Sequence, residues 1–214
     1  MNSAIFFDLD GTLVDSKKDL EKAVVFTALN LKLEILDKEY ILSLVGNGIH
    51  RLVKDYLTKI NATDYYEQFL KIFLSYYYEH ICEDSYLYDS VKPTLQILKE
   101  QYKLFVVSNK LEKFSKKLLN ELKIDNFFEA IIGGDSFENK KPHPQPILNL
   151  IQKYKINPCN SLFVGDSEND YFAAKASNLR MGWVSFGYKN ESILKKITPD
   201  FIFDKFRYIL NIAL

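Results

Sequence analysis

Two aspartates stand two residues apart directly after an apolar run near the start of the chain. Asp8 and Asp10 follow residues 4–7, and Gly11 comes next. In an extended segment residues i and i+2 face the same side, so the two carboxylates begin as neighbours. Such a pair is tolerated when a cation lies beside it or when one carboxyl group keeps its proton. The motif therefore indicates a metal site or an acid and base pair, with a simple turn cap as the structural alternative.

Further chemical groups follow three other apolar runs. Ser108 and Asn109 offer a hydroxyl and backbone amides after residues 104–107, and Lys141 lies in a proline-rich segment after residues 130–132. Lysine is a good point charge for phosphate. Asp166 follows residues 162–164 and adds a hard oxygen ligand of the kind magnesium prefers. These residues predict a phosphate and metal site if the runs end at one edge of a sheet.

The elements that must position these groups alternate between short strands and longer helical stretches, which is typical of an α/β fold. Six continuously apolar runs predict strands of a parallel sheet covered by helices on both faces. They are residues 4–7, 104–107, 130–132, 162–164, 181–184 and, as a sixth candidate, 201–203. In such sheets ligands bind at the carboxyl ends of the strands.

The interval from residue 16 to about residue 88 breaks this rhythm, because it contains three helical patterns and no clear strand. Ser16 followed by Asp19 resembles a capping box at the start of the first helix. The tyrosines of this interval recur at helical spacing, which favours a packed core over a platform for stacking bases. We expect an inserted helical subdomain, joined by hinges near residues 15–17 and 86–91.

Composition excludes several other classes. The chain has 214 residues with 28 basic and 28 acidic side chains, so no overall charge draws it to nucleic acid or to an anionic membrane. Its apolar runs are far shorter than the roughly 20 residues of a membrane helix. A secretory signal is not apparent, and Cys82 and Cys159 fit reduced thiols. We therefore expect a cytoplasmic protein, either a monomer or a weak homodimer.

The ordered set of motifs resembles the haloacid dehalogenase superfamily, and most closely its phosphoglycolate phosphatase branch. The resemblance rests on residues 8–16 (DLDGTLVDS), 45–48 (VGNG), 133–135 (GGD), 140–144 (KKPHP), 164–167 (VGDS) and 186–188 (FGY). It implies a Rossmann-like core of residues 1–16 plus 88–214 and a C1-type helical cap of residues 17–87. It also implies a Mg²⁺-dependent phosphatase that acts on a small phosphorylated metabolite, with 2-phosphoglycolate as the expected substrate.

The same resemblance assigns roles to individual residues. Asp8 is implied as the nucleophile that forms an aspartyl-phosphate, and Asp10 as the general acid and base. Magnesium would be held by Asp8, the Asp10 carbonyl and Asp166, and phosphate by Ser108, Lys141 and backbone amides that include Asn109. Asp170 would orient Lys141 or a metal-bound water, with Glu168 as an alternative. In the cap, Asn47, Gly48 and Arg51 form the implied substrate loop, with His50 a weaker candidate.

Other functions are compatible with some of the same motifs. A β-phosphoglucomutase-like transferase, a pyrophosphatase or a nucleotide phosphatase would share the core motifs and differ in the cap. A phosphoacceptor module resembling a response-regulator receiver would be phosphorylated at Asp8 for signalling rather than turnover. The long helical insertion and Asp10 favour an enzyme over the receiver.

Overall fold

The computed structural model describes residues 2–189 and 191–212, so the outermost ends of the predicted core lie outside the described residues. The chain divides into two compact units. One comprises Met1–Asp15 and Leu87–Leu214, and the other comprises Ser16–Tyr86. We call them the α/β unit and the helical unit. Within the described residues, no helix has the length and apolar character needed to cross a bilayer.

The α/β unit is built on a six-stranded sheet in which every neighbouring pair of strands is parallel. Its strands are β1 (Ala4–Phe7), β4 (Lys103–Val107), β5 (Ala130–Ile132), β6 (Leu162–Gly165), β7 (Arg180–Val184) and β8 (Phe201–Phe203). Their order is β5-β4-β1-β6-β7-β8. The α/β prediction and all six predicted strands are thus confirmed. Because the chain extends the sheet first on one side of β1 and then on the other, β1 lies at the switch point where such sheets bind ligands.

Helices join the strands of this sheet, and the apolar residues between them form its core. The helices are α5 (Val91–Leu98), α6 (Glu112–Glu121), α7 (Gln145–Tyr154) and α8 (Glu168–Ala176). Short 3-10 helices span Asp125–Phe127, Pro158–Asn160, Glu191–Lys195 and Phe206–Asn211. Phe6 and Phe105 stack at 5.0 Å between ring centroids, and they are fully buried together with Phe163. This core fixes the central strands whose ends carry the motifs.

The helical unit contains four α-helices, of which three were predicted. They are α1 (Lys17–Asn30), α2 (Lys38–Ser43), α3 (Ile49–Lys59) and α4 (Tyr66–Glu79), with a 3-10 helix at Thr63–Tyr65. Two-residue strands, β2 (Val14–Asp15) and β3 (Tyr86–Leu87), stand at the unit boundaries. Tyr56 and Tyr77 are fully buried, which confirms the core interpretation for these two tyrosines, whereas it is wrong for Tyr65, which is 40% exposed. Helix α2 gave no sequence signal because it is short and buries Ile41 alone.

The predicted capping box at the start of α1 is wrong. Helix α1 begins at Lys17 without a side-chain cap from Ser16. The Asp19 carboxylate is buried and instead accepts hydrogen bonds from the Asp84 amide, the Ser85 amide at 2.8 Å and the Ser85 hydroxyl at 2.6 Å. Asp19 therefore ties the start of α1 to the segment that follows α4.

Replacing Asp19 with alanine should lower the free energy of unfolding of the helical unit by about 2 to 3 kcal/mol, because two buried donors and one part-buried donor lose a charged acceptor. Urea titration followed by tyrosine fluorescence measures this change. Asp64 is exposed in the same unit, so Asp64→Ala is the matched control and should change stability by less than about 0.5 kcal/mol. Equal effects of the two substitutions would contradict the assigned role of Asp19.

Candidate active site

Three neighbouring strands place their carboxyl ends, and the polar residues that follow, side by side. Asp8 follows β1, Ser108 follows β4 on one side and Asp166 follows β6 on the other. The Asp8 amide donates to the carbonyl of Val164 at 2.9 Å, so the ladder between β1 and β6 continues into the motif. The predicted residues after these strands therefore lie at one edge of the sheet.

Lys141 lies between two carboxylates at this edge. Its Nζ is 2.7 Å from Asp8 Oδ1 and 2.6 Å from Asp170 Oδ1, and its side chain is only 2% exposed. Burial alone would lower the pKa of Lys141, but Asp170 and Asp8 outweigh it and raise the pKa above its ordinary value. Lys141 is therefore held as an ammonium ion.

Asp170 is positioned by the start of α8. Its Oδ2 accepts hydrogen bonds from the Ser167 amide at 3.0 Å and from the Ser167 hydroxyl at 2.6 Å. Its other oxygen is thereby turned towards Lys141. A Cβ at Gly165 would lie 2.4 Å from Asp170 Cγ, so glycine is required there for the carboxylate to come this close to the strand end. The predicted contact between Asp170 and Lys141 is present, and its catalytic part stays a prediction.

Asp166 is fixed by groups that the sequence alone did not connect to it. The Tyr188 amide donates to Asp166 Oδ2 at 2.6 Å, and the Trp183 indole donates to the Asp166 carbonyl at 3.1 Å. A Cβ at Gly11 or at Gly187 would lie 2.4 Å from Asp166 atoms. The FGY motif at residues 186–188 was the available sequence signal, because it follows the next strand along the sheet.

Three buried acids lie at this edge around one buried lysine, Lys141, and Lys189 also acts on Asp166. Ligand oxygens of Asp8, Asp166 and Asp170 lie within 4.8 Å of one another. Burial, with Asp170 and Asp166 adding to it and Lys141 opposing it, raises the pKa of Asp8 to about 8. Burial, helped by Asp170, raises the pKa of Asp166 to about 7. An acidic, oxygen-only donor set of this kind fits a hard divalent cation.

Asp10 makes a separate ion pair. Lys110 Nζ lies 2.9 Å from Asp10 Oδ1 and 3.0 Å from Asp10 Oδ2, and the lysine side chain is 2% exposed. Lys110 directly follows Ser108 and Asn109 in the sequence and has no predicted role. The available signal was the position of a charged residue just beyond a buried strand, where burial is costly unless the charge is paired.

Ser108 and Asn109 form the turn that follows β4. The Ser108 amide donates to the Ile132 carbonyl at 3.0 Å, and the Ser108 hydroxyl accepts from the Lys110 amide at 3.2 Å. The Asn109 side chain donates to the Lys141 carbonyl at 3.1 Å. Both predicted phosphate-binding residues of this turn are buried and lie on the segment that contacts the Lys141 loop.

Of the remaining predicted residues, four belong to the helical unit, and Glu168 is the first residue of α8. Gly48 has a φ of 87° and precedes α3, and Asn47 comes just before it. Arg51 Nε pairs with Asp55 Oδ2 at 2.6 Å, and His50 Nδ1 lies 2.9 Å from the Tyr66 hydroxyl. Their part in substrate selection stays a prediction. Glu168 pairs with Lys196 at 3.1 Å, which leaves Asp170 as the carboxylate on Lys141.

The fold and the site together define an α/β enzyme of the phosphatase type, in which carboxylates and a lysine meet at the carboxyl edge of a parallel sheet. Residues 5–184 match the model of the haloacid dehalogenase-like hydrolase family, and the chain belongs to that family.

Relatives of this chain agree with that membership. A phosphoglycolate phosphatase of Haemophilus influenzae is 37% identical over 216 residues, which cover 97% of this chain and 96% of that protein. The crystal structure of a predicted phosphoglycolate phosphatase from Haemophilus somnus has a TM-score of 0.92 at 36% identity, covering 97% of this chain and 96% of that one. A haloacid dehalogenase-like hydrolase from Streptococcus pneumoniae has a TM-score of 0.86 at 27% identity, with coverages of 97% and 96%. The chain is thus a phosphatase of this family.

The stability of the metal-free protein should fall as pH rises from about 4 to about 8. The pKa values of Asp8 and Asp166 are raised from 3.8 to about 8 and about 7, so between these limits the folded chain binds more protons than the unfolded chain. The free energy of unfolding therefore decreases with pH in this interval. A divalent cation displaces those protons, so its stabilising effect should be larger at the alkaline end.

Thermal unfolding in EDTA and in saturating Mg²⁺, at several pH values across that interval, measures this effect. A cation at 100 times its Kd adds about 2.7 kcal/mol to the stability. The pH-dependent part of this gain should become smaller in Asp166→Asn, where only Asp8 is left to release a proton, and should persist in full in the control Asp64→Asn. A Mg²⁺ effect that is the same at every pH would contradict the assignment.

Proposed function

We propose that the protein is a Mg²⁺-dependent phosphomonoester hydrolase that acts through an aspartyl-phosphate on Asp8, with 2-phosphoglycolate as its substrate. The observation that carries the proposal is the buried cluster of Asp8, Asp166 and Asp170 around Lys141. When all four groups are ionised, the cluster has an excess of two negative charges, which matches one divalent cation. The substrate is inferred from relatives named phosphoglycolate phosphatase.

In the first displacement, an oxygen of the Asp8 carboxylate attacks phosphorus, and the bond from phosphorus to the leaving oxygen breaks. Asp10 donates a proton to that oxygen, so the product leaves as an alcohol. Asp8, Asp166 and the Asp10 carbonyl would hold the cation, which would neutralise negative charge on the phosphoryl group. Lys141 and Ser108 bind phosphoryl oxygens as negative charge shifts in the transition state.

In the second displacement, water attacks the phosphorus of the aspartyl-phosphate. Asp10, now a carboxylate, accepts a proton from this water, and the bond between phosphorus and the Asp8 oxygen breaks. Inorganic phosphate forms and the Asp8 carboxylate is regenerated. Asp170 keeps the ammonium group of Lys141 in place through both steps, because it accepts its own hydrogen bond from this group beside the one that Asp8 accepts.

We also propose that residues 17–87 act as the cap that selects the substrate, with Asn47, Gly48 and Arg51 as its substrate loop, and that the protein works in the cytoplasm on a small metabolite. The cap assignment rests on the position of the insertion after the first motif, and the metabolite class rests on the names of the relatives. A substrate panel tests the choice of substrate separately from the chemistry of Asp8.

Phosphate release from 2-phosphoglycolate, sugar phosphates, nucleotides and pyrophosphate tests the function directly. We expect Mg²⁺-dependent release that is fastest with 2-phosphoglycolate, stops in EDTA and falls by at least about 10⁴-fold in Asp8→Asn, because the nucleophile is lost. Asp64→Asn is the matched control and should retain activity. Asp8-dependent release from another substrate would keep the mechanism and replace the substrate. Phosphorylation of Asp8 without turnover would support the receiver alternative.

The covalent intermediate should accumulate in Asp10→Asn when the leaving group needs no proton. With p-nitrophenyl phosphate the first displacement can proceed without the acid, whereas the second displacement lacks its base. Mass spectrometry of acid-quenched protein should then find one phosphoryl group on the peptide that contains Asp8. A variant that turns over slowly without any such adduct would contradict the proposed double displacement.

A further inference from the structure

We propose that Lys110 is a positioning residue for Asp10, holding the carboxylate in the orientation from which it exchanges a proton with the leaving group. This inference rests on the proposed function, which gives Asp10 its role as acid and base. The observation behind it is the forked contact, in which one ammonium group lies 2.9 and 3.0 Å from the two oxygens of Asp10.

The burial of this pair separates it from the surface ion pairs of the same unit. The side chain of Lys110 is 2% exposed and that of Asp10 is 13% exposed, whereas Lys116, which pairs with Glu112, is 56% exposed. Exposed pairs contribute little to stability, and a buried pair carries a desolvation cost that an apolar residue would avoid. A costly pair at the edge of the site is therefore better explained by what it does to Asp10.

The backbone of Asp10 is already fixed by the turn that it belongs to. The Gly11 amide donates to the Val14 carbonyl at 2.9 Å, and the amides of Leu13 and Val14 donate to the Leu9 carbonyl at 3.0 and 3.1 Å. These bonds leave the side-chain torsions of Asp10 undetermined. A contact to both carboxylate oxygens restricts those torsions, and Lys110 provides it.

Lys110 is held by the turn that also carries Ser108. Its amide donates to the Ser108 hydroxyl at 3.2 Å, and its carbonyl accepts from the Gly134 amide at 2.8 Å. Lys110 thereby links the Asp10 carboxylate to the segment that we propose binds the phosphoryl group. During transfer, one Asp10 oxygen faces the leaving oxygen while the other stays on the ammonium group.

The test is the dependence of kcat/KM on the leaving group for a series of substituted phenyl phosphates. This constant reports the steps up to departure of the leaving group, and an acid in the wrong place matters most when that group is basic. In Lys110→Met we expect kcat/KM to fall by about 30-fold for phenyl phosphate and about threefold for p-nitrophenyl phosphate, within the roughly 100-fold or more that a general acid contributes. The plot against leaving-group pKa becomes steeper.

Three further variants complete the experiment. Asp10→Asn should give the steepest plot, and adding Lys110→Met to it should not steepen the plot further, because the acid is already absent. The double variant also removes both charges, so it leaves no buried ion unpaired. Lys116→Met is the same substitution at an exposed position, and its plot should match that of the wild type.

The outcomes separate this inference from the proposed function. A parallel downward shift of the Lys110→Met plot with unchanged slope means a merely structural lysine and overturns the inference, while Asp8-dependent turnover keeps the proposed function. Absence of Asp8-dependent turnover in the wild type overturns both. A steeper plot in Lys110→Met that disappears in the Asp10→Asn background supports the inference.

Discussion

The arrangement of the α/β unit depends on one electrostatic constraint, which is the gathering of three buried carboxylates and one ammonium group at the ends of neighbouring parallel strands. Asp8, Asp166 and Asp170 repel one another in a region where water cannot screen them, and Lys141 compensates for one charge only. The raised pKa values of Asp8 and Asp166 are the consequence of this imbalance. This imbalance is what a divalent cation bound at this edge, as proposed, would relieve.

Close approach between these charges requires particular backbone positions. Gly165 leaves room for Asp170, and Gly11, with a φ of 89°, leaves room for Asp166. Any side chain at either position would push a carboxylate away from the cluster. Gly11 and Gly165 therefore allow the carboxylates of the cluster to come close, in addition to allowing the chain to turn.

The strands and most residues of the candidate site could be predicted from the sequence, because apolar runs mark the strands and the polar residues that follow them are visible in the sequence. Asp8, Ser108 and Asp166 follow continuous apolar runs, so their meeting at one edge needed only a parallel sheet. Two features could not be predicted, because their partners are distant in sequence. Asp19 resembles a local cap but binds Ser85. The position of Lys110 beyond a buried strand indicates a paired charge, but nothing in the sequence identifies Asp10 as its partner. Local sequence patterns contain no information on such contacts, because the residues involved meet only in the folded chain.

The two buried lysines of the site pair with different carboxylates and leave different net charges. Lys141 lies within an acidic cluster that keeps excess negative charge, whereas the pair of Lys110 and Asp10 is neutral when both are ionised. A divalent cation is therefore drawn to the first group and not to the second. Because Asp8 and Asp10 stand only two residues apart, their separate lysine partners fit the proposed roles, in which Asp8 lies beside a cation and the Asp10 carboxylate transfers a proton.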